Sequence, residues 1–199
     1  MNLLDLTEKW TDVRGHLPLL YAIARFLPVR LGLEIGVRDG NSTLAILMGL
    51  AAQETPDGLL ISVDPEPCEN AVARAQEHGL RALWNFRRQT SAQFSIDLSQ
   101  EAQRRSFDLL FIDGSHDHAD VLNDWLLWGP LVRKDGFILF HDTVTYDGPR
   151  RVVEEHIPQQ RNLFEVCTLP YDHGLTIVRK KCDYWWYQSP GCPIPTEKP

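Results

Sequence analysis

Residues 31–43 read Leu31-Gly32-Leu33-Glu34-Ile35-Gly36-Val37-Arg38-Asp39-Gly40-Asn41-Ser42-Thr43. Apolar Leu31, Leu33 and Ile35 describe a buried strand that runs into a glycine turn and then a helix. Gly36 and Gly40 open the loop, and Asn41, Ser42 or Thr43 can cap the helix. Parallel α/β sheets hold their ligands beyond the carboxyl ends of the strands. Glycines there let backbone approach a ligand closely, and the helix start offers free N–H donors. The G-x-G-x-x-G run of dinucleotide folds is absent, so a different adenosine-containing cofactor is the better expectation.

Working outward, the chain alternates strands and helices. Strands are expected at Val29–Ile35, Leu59–Val63, Arg81–Arg87, Phe107–Ile112 and Phe137–Phe140. Helices are expected over 3–27, 42–53, 68–78, 94–103, 118–128 and 151–156. Within 118–128 the apolar stripe is Val121, Leu122, Trp125 and Trp128, with Asp120 and Asp124 on the other side. Phe164–Leu169 and Leu175–Arg179 flank Tyr171-Asp172-His173-Gly174, a hairpin signal. This pitch predicts an α/β fold: a doubly wound, seven-stranded, mostly parallel sheet with one antiparallel C-terminal edge strand and helices on both faces. The expected organisation is an N-terminal helical cap (1–28), the sheet domain (29–181) and a Pro/Trp-rich tail (182–199).

A net charge of −7 argues against nucleic acid or an anionic membrane as partner. The acidic start MNLLDLTEKW and the interrupted apolar run Leu17–Leu27 match neither a signal peptide nor a membrane span. Cys68, Cys167, Cys182 and Cys192 lack C-x-x-C spacing, which suits a reducing cytoplasm; Cys182 and Cys192 are close enough in sequence to be bridged.

Three strands end in acids, Glu34, Asp64 and Asp113, and a fourth ends in His141-Asp142. Like charges gathered at one sheet edge cost energy unless a ligand or metal offsets them. With these residues in place the chain resembles the class I S-adenosylmethionine-dependent methyltransferases, nearest the small-molecule O-methyltransferase and cephalosporin-hydroxylase-like group. The residues that carry the resemblance are Glu34-Ile35-Gly36 through Gly40, Val63-Asp64-Pro65, Ile112-Asp113-Gly114-Ser115-His116 and Phe140-His141-Asp142-Thr143.

The resemblance implies a Rossmann-like domain binding S-adenosylmethionine. Gly36, Gly40 and Ser42 would face the cofactor's methionine part, with Glu34 holding its amino group directly or through water. Asp64 would accept the ribose hydroxyls, and Ser91 would sit near the adenine edge. Asp113 would border the methyl donor and, with His141 and Asp142, could hold a divalent ion such as Mg²⁺ or Mn²⁺.

The implied reaction is methyl transfer to a hydroxyl of a small-molecule acceptor. It needs alignment and removal of the acceptor's proton, by a base or by a metal acting as Lewis acid. Asp113, His116 and His141 are the candidate catalytic residues, since an imidazole suits a base near neutrality. Plainer readings stand beside these. Asp113 can cap the turn at Gly114, His141 can hydrogen-bond beneath the pocket, and His116 can orient the Asp113 loop. His118 is expected on the helix surface, Asp124 as an exposed helical acid, and Trp125 and Trp128 in the core. Lys9, Trp10 and Arg14 are candidates to cover the acceptor site. The pair Trp185-Trp186 could be strap, lid or homodimer contact. A non-catalytic adenosine-binding module, or a different reaction on the same fold, is the alternative function.

Overall fold

The computed structural model describes residues 3–8, 11–99, 106–157 and 163–182. Five strands run parallel: β1 (Leu31–Ile35), β2 (Leu59–Asp64), β3 (Trp84–Arg88), β4 (Phe107–Ile112) and β5 (Val132–His141). With β6 (Phe164–Leu169) and β7 (Leu175–Lys180) they form one sheet in the order β3-β2-β1-β4-β5-β7-β6. From β1 the chain winds outward to β3, then returns to β4 on β1's other side, so β1 and β4 flank the switch point where such folds hold ligands. Every residue of β4 is buried, as expected for a strand covered on both faces.

The helices are α1 (Leu3–Glu8), α2 (Leu17–Phe26), α3 (Asn41–Ala51), α4 (Glu69–Glu77), α5 (Ser91–Ser99), α6 (His118–Trp128) and α7 (Asp147–His156). One apolar cluster joins Leu17 and Leu20 of α2, Leu44 and Leu47 of α3 and Ala71 of α4 to the sheet. The other joins Phe94 of α5, Val121, Trp125 and Trp128 of α6 and Val152 of α7 to the opposite face. Trp125 and Trp128 are fully buried core residues. The N-terminal segment shares the first cluster through Leu6 and Val13. Gly49 lets α3 meet α2 closely, since a Cβ there would stand 2.5 Å from the Tyr21 carbonyl.

The antiparallel strand read from the closing hairpin is β7, and it lies inside the sheet. It pairs antiparallel with both β5 and β6, which leaves β6 at the edge. The cause is burial: Leu175, Thr176 and Val178 are covered, whereas Glu165, Val166 and Cys167 of β6 are exposed.

β5 also begins earlier than its apolar run. The polar stretch Arg133-Lys134-Asp135-Gly136, ahead of the expected Phe137–Phe140, belongs to the strand through an irregularity in its register with β4, with Asp135 at φ 64°. Arg133 pairs there with Asp108, whose Oδ2 also accepts the Arg30 and Leu31 N–H groups at 2.7 and 2.8 Å. Helix α7 likewise starts four residues early, at Asp147 rather than Arg151. Gly148 in its first turn packs on the His116 carbonyl, where a Cβ would overlap. Among the described residues no helix is long and apolar enough to cross a membrane.

Candidate functional site

The loop after β1 is shaped by three residues at positive φ, Gly36 (92°), Arg38 (47°) and Gly40 (77°). A Cβ on Gly36 would overlap the backbone carbonyl of Asp113, so the loop presses directly on the end of β4. The Asp113 N–H in turn donates to Ile35 O at 2.8 Å, and Gly36 N–H to Val63 O at 3.0 Å. Gly40 precedes α3, and a Cβ there would stand 2.6 Å from the Ala71 side chain of α4.

Asp64 holds this loop from the side. Its Oδ2 accepts the N–H groups of Val37 (2.8 Å) and Arg38 (3.2 Å), and its Oδ1 accepts that of Glu66 (2.9 Å). A carboxylate offers about four acceptor positions. Oδ1 therefore keeps capacity for a further donor such as a ribose hydroxyl. The pocket over the loop is lined by Gly36, Val37, Arg38, Asn41, Ser42 and Asp113, with Asp12 and Val13 from the N-terminal segment at its rim. Arg38, which the sequence reading did not single out, reaches Asp12 at 2.6 Å and ties that rim to the loop.

Glu34 lies at the carboxyl end of β1. It is fully buried beneath the loop and accepts hydrogen bonds from Ser42 (2.7 Å), Thr43 (2.7 Å) and Ser62 (2.6 Å). Ser62 is itself held by the Trp84 indole N–H at 2.8 Å. Burial pushes the Glu34 carboxyl up to about 7 against the pull of these hydroxyls. Here the side chain anchors the start of α3, and the pocket wall above it is Ser42.

Ser91 donates to Asp124, joining the start of α5 to α6. Asp124 is therefore buried, not the exposed acid expected of it, and burial raises its carboxyl to about 6. His118 lies half-buried against Glu155 of α7 at 3.7 Å, away from the strand-end acids. Arg14 falls in a 3-10 turn (Arg14–His16), while Lys9, Trp10, Trp185, Trp186 and Cys192 lie outside the described residues.

Asp113, His141 and Asp142 do converge. One ligand atom from each lies within 4.8 Å of the others. His141 Nδ1 is 3.2 Å from Asp113 Oδ1 and 3.2 Å from Asp142 Oδ1. Although burial opposes it, hydrogen bonding to these two carboxylates raises the His141 pKa to about 10. Burial pushes Asp113 up, while hydrogen bonds from His141 and His116 hold Asp142 below the usual carboxylate range despite its own burial. His116 Nε2 lies 2.5 Å from Asp142 Oδ2, and its half-exposed ring stacks on Tyr146 with centroids 3.6 Å apart.

Behind His141 stands His16, which the sequence reading passed over. It is fully buried, stacked on Tyr171 (4.7 Å) and edge-on to His141 (5.5 Å). Its one legible sign is a polar residue beside the apolar run Leu17–Leu20. Burial, and then the charge of His141, lower its pKa.

A model of the methyltransferase domain matches residues 33–143, more than half of the chain. The chain belongs to this methyltransferase family. The match contains all four strand-end motifs, from Glu34 to Thr143. A comparison with curated proteins found no match. Solved methyltransferases share the fold at low identity. The O-methyltransferase TomG of Streptomyces achromogenes, in complex with SAM, superposes with a TM-score of 0.69 at 18% identity, covering 90% of this chain and 89% of that one. An O-methyltransferase of Bacillus cereus in complex with SAH gives 0.69 at 17%, covering 89% of each chain. The SAH-bound methyltransferase PaMTH1 of Podospora anserina gives 0.65 at 18%, covering 90% and 87%.

Proposed function

We propose that this methyltransferase moves the methyl group of S-adenosylmethionine to a hydroxyl of a small molecule, with a divalent ion held by Asp113, His141 and Asp142. The observation that carries the reading is Asp113 itself. It lines the loop pocket and also belongs to the acid–imidazole group. Methyl donor and acceptor centre therefore share a wall. That solved relatives were crystallised with SAM or SAH supports the choice of cofactor.

The residues fit both groups. Asp64 keeps an acceptor position for ribose, and the start of α3 presents backbone N–H donors beside the loop. Two carboxylates and one imidazole suit a divalent cation, and the imidazole tilts the choice toward Mn²⁺, Fe²⁺ or Zn²⁺. Bound there, the cofactor supplies an activated methyl sulfonium and the cation a Lewis acid that lowers the acceptor's pKa.

The chain's own part is alignment and proton removal. Asp142 can only accept at Oδ2, so His116 donates through Nε2–H and leaves Nδ1 unprotonated in the neutral ring. A base oriented by a carboxylate is the arrangement that proton abstraction needs. Stacking on Tyr146 holds the ring against rotation. Keeping the acceptor in line with the donor is worth about 7–11 kcal/mol where the bound geometry is near attack. A reducing cytoplasmic setting belongs to the same reading, supported by the cysteine spacing.

Calorimetric titration with S-adenosylhomocysteine, with NAD as control, tests the reading. Saturable binding of S-adenosylhomocysteine alone is expected. Binding of neither ligand, or of NAD alone, overturns it.

A further inference from the structure

We infer that His16, from the N-terminal segment, is a positioning residue for His141: with a cation on His141 Nδ1, one bound water links the His141 Nε2–H to the lone pair of His16 Nδ1. The inference rests on the reading of Asp113, His141 and Asp142 as the reaction centre.

The argument begins with two orphaned atoms. Among the described residues, His16 Nδ1 and His141 Nε2 are both buried without a hydrogen-bond partner. A buried polar atom left unpaired costs about 1–3 kcal/mol, so two on neighbouring rings need an explanation. The rings meet edge to face with centroids 5.5 Å apart.

Hydrogen-bond valence then fixes the roles. His16 Nε2 lies 3.0 Å from Tyr171 O and 3.3 Å from Asp172 O. Carbonyls only accept, so this nitrogen carries the proton and Nδ1 offers a lone pair. On the other ring, Nδ1 faces two carboxylates. When that nitrogen ligates a cation, the ring's hydrogen sits on Nε2. One ring thus presents a donor without an acceptor, and the other an acceptor without a donor.

The rest of the segment keeps His16 in place. Gly15 N–H donates to Asp172 Oδ2 at 2.5 Å, and the His16 ring stacks on Tyr171. A ligating imidazole is commonly oriented by an acceptor on its other nitrogen. Here that acceptor comes from the N-terminal segment, docked on the β6–β7 turn.

Long-range proton–nitrogen correlation spectra of histidine-labelled protein, recorded with saturating Zn²⁺ as a diamagnetic ion, read the tautomers directly. Expected are His16 as the Nε2–H tautomer and a His141 Nε2–H protected from exchange. His16→Phe keeps the stacking ring but removes the acceptor, and that protection should vanish. In the same variant Mn²⁺ affinity should fall about 10–100-fold, with S-adenosylhomocysteine affinity kept within about threefold. Asp172→Ala loosens the segment while keeping the His16 ring, so Mn²⁺ affinity should fall less than in His16→Phe. An Nδ1–H tautomer at His16, or unaltered protection of His141 in His16→Phe, overturns the inference. If the unmodified protein takes up neither Mn²⁺ nor Zn²⁺, the metal reading fails and the inference falls with it.

Discussion

The His116 imidazole is gripped from two directions, by the Asp142 carboxylate at 2.5 Å from Nε2 and by the Tyr146 ring stacked 3.6 Å away. This pairing turns an otherwise half-exposed histidine into an oriented one. His116→Ala should lower kcat about 10²–10⁴-fold, the usual contribution of a general base. S-adenosylhomocysteine affinity should stay within a few-fold. Steady-state kinetics over a pH series checks this, and an unchanged kcat would remove His116 from the mechanism.

Asp64 governs the cofactor side. Asp64→Ala releases the N–H groups of Val37, Arg38 and Glu66 together. Hydrogen bonds to a charged group contribute about 1.5–3 kcal/mol each. S-adenosylhomocysteine binding should weaken at least about 100-fold and the melting temperature should drop. Calorimetry and thermal melts read both effects.

Metal uptake should be coupled to protons. The carboxylates raise His141 to about 10, so at neutral pH without metal the ring carries a proton that a cation must displace. Mn²⁺ binding is expected to release about one proton and to tighten as pH rises toward that value. Titrations in buffers of different ionisation heat count the proton. EDTA should stop turnover while leaving S-adenosylhomocysteine binding within a few-fold; turnover indifferent to EDTA in protein shown metal-free would exclude the ion.

Glu34 makes folding pH-dependent with the opposite sign from a paired surface acid. Its carboxyl sits at about 7 folded against 4.5 as the ordinary value. Between those two values the folded state holds the extra proton, so stability falls as pH rises and levels off above about 7. The full swing is on the order of 3 kcal/mol. Glu34→Gln should flatten this part of the profile. Urea denaturation at several pH values measures it, and an identical slope in both proteins would refute the assignment.

The fold was legible because its signals are local. The apolar run Phe107–Ile112 and the stripe Val121, Leu122, Trp125 and Trp128 need no tertiary context to read. The strand-end acids were legible as a set, and Asp113, His141 and Asp142 do meet. Partners contributed by remote segments were not legible. The hydroxyls of Ser42, Thr43 and Ser62 that bury Glu34 are not part of its motif. Asp124 looks exposed until Ser91 arrives from another helix. His16 and Tyr146 carry no motif, and their proximity to the site depends on how the N-terminal segment and the loop after β5 dock. The inward place of β7 likewise follows from which of two similar strands has the more apolar faces.

The contact between Gly36 and the Asp113 carbonyl has a mechanical consequence. A side chain at Gly36 would overlap that carbonyl, so on the proposed function the loop beside the donor and the acid beside the acceptor are packed as one seat. The distance over which the methyl group travels is then set when the chain folds, not when ligands arrive. Such an enzyme discriminates by which acceptors fit a fixed gauge. Its first turnover should follow mixing without a lag for rearrangement of this wall.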